Sequence, residues 1–138
     1  MDVFTPGSHG STFGGNPLAA AVGLEALRII AEEDLVARSR VLGDHMLERL
    51  RAIRSPVLRE VRGRGLWVGA EIDPHFATAR QACEALLAKG VLSKETHHTV
   101  VRLAPPLVIA REELDWALDR FTEVIRELER KQAPQAAA

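Results

Sequence analysis

Residues Gly7-Ser8-His9-Gly10-Ser11-Thr12-Phe13-Gly14-Gly15-Asn16-Pro17 set a loop rich in glycine and hydroxyls immediately ahead of a long apolar run. Asn16 is a favoured N-cap, and Pro17 suits the first helical position, where its fixed φ is already helical and its missing N–H has no partner to lose. A helix therefore starts here. Gly14 and Gly15 open backbone angles closed to other residues and present no side chain to an approaching ligand. Ser11 and Thr12 bring hydroxyls close to the positive end of that helix, where an exposed phosphate or carboxylate is stabilised by roughly 0.3–1 kcal/mol per charge. The stretch reads as an anion-binding corner, with an ordinary glycine-rich turn as the plainer alternative.

From Pro17 to about Glu33, Leu18, Val22, Leu24, Leu27, Ile29 and Ile30 alternate with alanines and Gly23, so the helix is apolar over most of its girth. A helix of this kind needs cover on several sides, and the small residues at 19, 20, 23 and 26 suggest that another backbone comes close, in this chain or a second one. Asp34 is placed to cap a second helix, with Leu35, Leu42, Met46, Leu50 and Ile53 at helical spacing. Val57 to Val61 and Gly65 to Ile72 read as paired strands around Gly63 and Gly65, with Leu66, Val68, Ala70 and Ile72 on one face and Trp67, Gly69 and Glu71 on the other. The Gly-x-Gly between them lacks a third glycine and precedes a strand, which excludes a dinucleotide fingerprint.

Ala79, Ala82, Cys83, Leu86 and Leu87 form a short amphipathic helix ended by Gly90. Val91-Leu92 and Val100 to Leu103 read as two further strands, separated by a polar loop over 93–98. A last helix from about Arg111 to Arg130 carries Leu114, Leu118, Phe121, Ile125 and Leu128 on one face, with acidic residues in its first turn and basic ones in its last. This order predicts an α+β fold, an antiparallel sheet covered by helices.

The chain has 138 residues and a formal charge of −1, so no broad field draws nucleic acid or an anionic membrane, and electrostatic recognition must be local. Its one cysteine, Cys83, excludes an internal disulfide and reads as a small core residue. Met1 to Pro6 do not pair a basic stretch with an apolar run, and no apolar stretch reaches the uncharged length of about 18 residues that a membrane span needs. The expected location is cytoplasmic.

Arg102 is the second candidate site residue. Strand alternation aims it away from Val101 and Leu103, and Pro105-Pro106 stiffen the exit. A guanidinium so held can grip a carboxylate bidentately; the plainer alternative is an arginine on the wet side of a half-buried strand. His9, His97 and His98 are poorly spaced for a metal, since the adjacent pair cannot both face one ion from a regular element.

The string His9 to Ala19 resembles a signature of the class III pyridoxal-phosphate-dependent aminotransferases, and the similarity continues through Arg102-Leu103-Ala104-Pro105-Pro106-Leu107 to cover nearly the whole chain. The resemblance implies the small C-terminal domain of a fold-type I transferase, preceded by a long connecting helix. It implies that Ser11 and Thr12 contact the phosphate of pyridoxal phosphate, with Thr12 reaching across a homodimer interface into the other subunit's site, and that Arg102 binds the substrate carboxylate. Leu92 to His97 is similar to the corresponding stretch of the ornithine-specific branch, which implies ornithine and 2-oxoglutarate as substrates.

The family's chemistry requires a lysine that joins covalently to the cofactor, with an acidic partner for the pyridine nitrogen. Lys89, Lys94 and Lys131 are the only lysines, and none lies in a segment matching the family's lysine motif. No catalytic residue is therefore assigned to this chain, which is expected to be inactive alone. Residues 1–33 are expected to form the cofactor loop and connecting helix, 34–131 the small α+β domain, and 132–138 a fraying tail. A fragment of an acetylornithine or other ω-amino-acid aminotransferase stays open as an alternative, as does an autonomous domain that binds an anion or a partner.

Overall fold

The computed structural model describes Thr5 and residues 7–132. The chain divides into two compact units, Met1–Val36 and Ala37–Ala138.

In the first unit, helix α1 spans Pro17–Glu32. Asn16 caps it from an extended conformation, its Oδ1 accepting from the amides of Leu18 at 2.9 Å and Ala19 at 3.2 Å. Arg28 pairs with Glu25 and Glu32 on the polar stripe. No residue of α1 is buried, and Leu18, Val22, Leu24 and Leu27 stand exposed. Asp34 does not cap the next helix in the expected extended form. It adopts φ +47° and donates its amide to the Ala31 carbonyl at 3.3 Å, so it closes the turn after α1, a left-handed position that aspartate tolerates better than most residues.

Helix α2 spans Leu35–Arg51 and is followed by strands β1 (Leu58–Arg64) and β2 (Trp67–Ile72). β1 continues through Gly63, further than its apolar residues indicate, and pairs antiparallel with β2 in a register that sets Arg64 opposite Trp67. Gly65 thus opens a two-residue turn at φ +55°, a geometry that matches the right-handed twist of a hairpin. That turn is pressed against α2: Ser39 Oγ accepts from the Leu66 amide at 3.1 Å, and a Cβ added at Gly43 would lie 2.1 Å from the Gly65 carbonyl carbon.

Helix α3 spans Ala79–Ala88 behind a capping box of Thr78 and Gln81. It ends in a Schellman motif, in which Gly90 at φ +84° donates to Leu87 O and Val91 donates to Leu86 O, both at 2.9 Å. That motif holds Val91 against the core and displaces the expected strand at Val91-Leu92. Strand β3 instead covers Lys94–Thr96, inside the stretch expected to be loop, because only there can it pair with β4 (Val100–Leu103) across a tight hairpin. His97 and His98 form the tip at φ +53° and +63°, and the His98 carbonyl accepts from Ala79 N at 2.9 Å.

The sheet order is β1-β2-β4-β3, antiparallel throughout. Helix α4 runs Arg111–Gln132 and so takes in the first residue of the expected tail; residues 133–138, where the rest of that expectation falls, lie outside the described residues. Val68, Ala70, Ile72, Val101 and Leu103 on the inner face of the sheet share one core with Met46 and Leu50 of α2, Leu86 of α3, and Leu114, Phe121 and Ile125 of α4. Cys83 belongs to this core, and burial pushes its thiol up. The fold is α+β, a four-stranded antiparallel sheet with its core side chains on one face.

Candidate functional site

The opposite face of the sheet carries the candidate residue Arg102. Register sets Arg62 beside Gly69, Gly69 beside Arg102, and Arg102 beside Lys94, a row of three cations across all four strands with one position lacking a side chain. The next row on this face runs Glu60, Glu71, Val100, Thr96. Arg102 is exposed between buried Val101 and Leu103, as strand alternation requires. A groove of about 470 Å³ lies over Gly69, bordered by Arg62, Arg64, Trp67, Thr96 and Arg102.

The cations of this groove are not equivalent. Arg62 Nη1 donates to Glu60 at 2.8 Å and to Glu71 at 3.1 Å, and the Glu71 bond in particular raises the guanidinium's affinity for its proton. Arg64 and Arg102 form no hydrogen bond or ion pair among the described residues, so their donors remain available to a ligand. The segment after Arg102 is fixed by Arg38, which donates to the carbonyls of Leu107 at 3.3 Å and Ile109 at 2.5 Å.

A larger hollow of about 730 Å³ lies between α4 and the 103–109 segment, lined by Leu103, Pro105, Pro106, Trp116 and Phe121. Its ionisable residues are Glu112 and Glu113, so it offers no cation to a phosphate or carboxylate.

Ser11 and Thr12 belong to the first unit, where two turns shape their loop: Gly14 N donates to Ser11 O at 3.4 Å and Asn16 N to Phe13 O at 3.1 Å. Both residues are exposed, and their hydroxyls have no hydrogen-bond partner among the described residues. The Asn16 cap already occupies the Leu18 and Ala19 amides. An anion here would be held by loop hydroxyls and loop amides, with the helix contributing its field.

Lys89 is clasped by Glu127 at 2.8 Å and Glu123 at 3.4 Å, and the Glu127 hydrogen bond above all drives its pKa up. Lys94 is exposed on β3, 3.9 Å from Glu95. Lys131 is exposed near the end of α4.

Arg62, Arg64, Trp67 and Gly69 were not recognisable as site residues from the sequence. The period-2 alternation puts Trp67 and Gly69 on the polar face, but only the β2–β4 pairing brings them beside Arg102.

An α+β layer with a four-stranded antiparallel sheet is the architecture of the C-terminal domain of fold-type I transferases. The aminotransferase class-III family profile matches residues 1–125, and the chain belongs to that family. A relative from Staphylococcus aureus, ornithine aminotransferase 2, is 56% identical over 126 residues, covering 91% of this chain and 31% of the relative. The chain thus spans about a third of the length of such relatives. Among solved structures, the ornithine aminotransferase of Toxoplasma gondii, which has partial occupancy of PLP at its active site, superposes with TM-score 0.83 at 40% identity, covering 96% of this chain and 32% of that one. The acetylornithine aminotransferase of Elizabethkingia anophelis superposes with TM-score 0.79 at 40% identity, over 92% of this chain and 33% of that one.

Proposed function

We propose that this chain is the C-terminal portion of an aminotransferase that moves the δ-amino group of ornithine to 2-oxoglutarate, in a homodimer that uses pyridoxal phosphate. The observation that carries this reading is Arg102, a guanidinium with no partner among the described residues and Gly69 beside it across the strands, in a chain 56% identical to an ornithine aminotransferase. Homodimeric assembly rests on the family resemblance alone.

Pyridoxal phosphate, when bound, supplies the electron sink that lets an amino group leave one carbon skeleton and join another. The loop hydroxyls suit its phosphate: Ser11 and Thr12 are exposed, without a hydrogen-bond partner among the described residues, and next to the positive end of α1. In this reading Thr12 donates to a phosphate oxygen of the partner subunit's cofactor, a charge-assisted hydrogen bond that orients the group. Arg102 pairs with the substrate carboxylate through its two-donor fork and fixes which end of the substrate faces the reacting centre. The paired prolines after Leu103, together with the Arg38 hydrogen bonds, keep that strand exit from shifting when substrate binds. Proton transfer to and from the substrate falls to the lysine of the remaining two thirds of a family member.

The test is amino transfer by the complete polypeptide with ornithine and with N-acetylornithine, in the wild type and in Arg102→Ala. Preference for ornithine is expected, and Arg102→Ala should weaken both the amino-acid and oxo-acid half-reactions while leaving cofactor retention unchanged. The acetylornithine reading, which the similarity to the Elizabethkingia enzyme supports, predicts the opposite donor preference. An Arg102→Ala enzyme with unaltered KM values would remove the carboxylate role.

A further inference from the structure

We infer that His45 is a proton-sensitive latch: it holds Arg111, the first residue of α4, while its imidazole is neutral and releases it on protonation.

The tautomer follows from the partners. Arg111 Nη2 lies 3.3 Å from His45 Nδ1, and a guanidinium has hydrogens to donate but no lone pair to accept with. Nδ1 is therefore the acceptor, and the ring is the neutral form with its proton on Nε2. That proton is donated to Asp115 Oδ1 at 2.6 Å. Only 16% of the His45 side chain is exposed, so these two partners, not water, satisfy both ring nitrogens.

A proton arriving from solvent has one place to bind. It takes the Nδ1 lone pair that Arg111 uses, so the Arg111 hydrogen bond breaks, while the Asp115 bond stays and gains the attraction of opposite charges. The neighbouring charges push the same way. Asp115 and Arg111 face the ring from α4, and Arg49 of α2 reaches the same Asp115 oxygen at 2.7 Å; Asp119 enters through Arg49, and the 103–110 connection has no ionisable residue. With the ring neutral, the two arginines balance the two carboxylates. An imidazolium adds an unbalanced positive charge directly against the Arg111 guanidinium. Arg111 is exposed, and its Nε is 3.9 Å from Asp115 Oδ2, so the released head has water and the far carboxylate oxygen to turn to.

Release has a local consequence. Arg38, His45 and Arg49 lie along α2 and hold the chain from Leu107 to Asp119: Arg38 takes the Leu107 and Ile109 carbonyls, His45 takes Arg111 and Asp115, and Arg49 takes Asp115 and Asp119. In this row only the histidine changes charge close to neutral pH. Acid therefore frees the start of α4, at the end of the connection that leaves Arg102, and keeps the contacts on either side of it.

The experiment is NMR of the 138-residue chain. The His45 ring nitrogens are assigned first, and rotation of the Arg111 guanidinium about its Nε–Cζ bond is then followed from about pH 8 to about pH 5, where imidazole titrates while Asp115, held below the usual carboxylate range, stays ionised. At the upper end the ring should carry its proton on Nε2. Rotation should be slow there and speed up about tenfold on acidification, the loss of one hydrogen bond to a charged group, with the same midpoint as the His45 ring. In His45→Phe it should be fast at both ends. A wild-type ring protonated on Nδ1 alone at the upper end, or Arg111 rotation that does not follow the His45 titration, would overturn the inference, and neither reading needs the variant. A slow or pH-stepped Arg111 in His45→Phe would overturn it as well.

Discussion

His45 Nε2 lies 2.6 Å from Asp115 Oδ1, tying the middle of α2 to the first turns of α4. Arg49 reaches the same carboxylate oxygen at 2.7 Å and Asp119 at 2.7 Å, and Arg111 closes the cluster with Nη2 3.3 Å from His45 Nδ1. Asp115 thus takes two contacts on one carboxylate oxygen, both from α2. The His45 bond leads in holding its carboxyl below the usual carboxylate range.

A carboxylate with a depressed pKa contributes stability that is present above its unfolded value, about 3.9, and is lost as pH falls through the lower folded value. Thermal unfolding as a function of pH should show an acid-side loss of stability that is reduced in Asp115→Asn. Because the site is partly solvated, the substitution should cost only about 1 kcal/mol near pH 7. An Asp115→Asn protein with the wild-type acid profile would show that the clasp is not coupled to folding.

Gly43→Ala should destabilise the fold although alanine is the better helix former. The helix gains about 1 kcal/mol in propensity, but the new methyl would meet the Gly65 backbone at 2.1–2.4 Å and force α2 away from the hairpin turn. Overpacking against a backbone that cannot rotate aside should exceed that gain, for a net loss of about 2 kcal/mol. Denaturant unfolding measures it, and a stabilised variant would mean the turn yields freely.

Lys89 should resist modification by an aldehyde. Its amine is held protonated by Glu127 and Glu123, and only the free base attacks a carbonyl. After incubation of the chain with pyridoxal phosphate near pH 7.5 and borohydride reduction, peptide mass mapping should find less label on Lys89 than on Lys94 or Lys131. Preferential labelling of Lys89 would assign it the reactive role that the sequence does not.

The exposed face of α1 predicts association. Leu18 is 73% exposed and Leu24 is 71% exposed, along one apolar helix. Sedimentation of the free chain should show self-association that weakens in Leu24→Glu. A monomer across a wide concentration range would show that this face is tolerated in water.

The helices were legible because each carries its own signal: Asn16-Pro17 at the start of α1, Gly90 at the end of α3, acidic and basic ends on α4. Polar and apolar alternation likewise gave the inner and outer faces of β2 and the outward aim of Arg102. β3 was not legible, because Lys94–Thr96 is polar and becomes a strand only through pairing with β4, while Val91 is apolar for the core contact that follows a helix cap and Leu92 stands exposed. Asp34 looked like an N-cap because caps and left-handed turns favour the same short polar residues. The groove over Gly69 was the least legible feature. It is made by strands β1, β2 and β4, whose order depends on long-range pairing that no local pattern records.

The central claim is that the Gly7 to Pro17 loop holds a cofactor phosphate in the other subunit. Its most direct test is cofactor affinity in a heterodimer of the complete enzyme, one subunit carrying Thr12→Ala and the other lacking its cofactor-bonding lysine. If Thr12 acts across the interface, the subunit that keeps its lysine is served by its neighbour's intact threonine, and pyridoxal phosphate should bind there with wild-type affinity. A loss of about tenfold to a hundredfold at that site, the value of one charge-assisted hydrogen bond of about 1.5–3 kcal/mol, would place Thr12 in its own subunit's pocket and contradict the account.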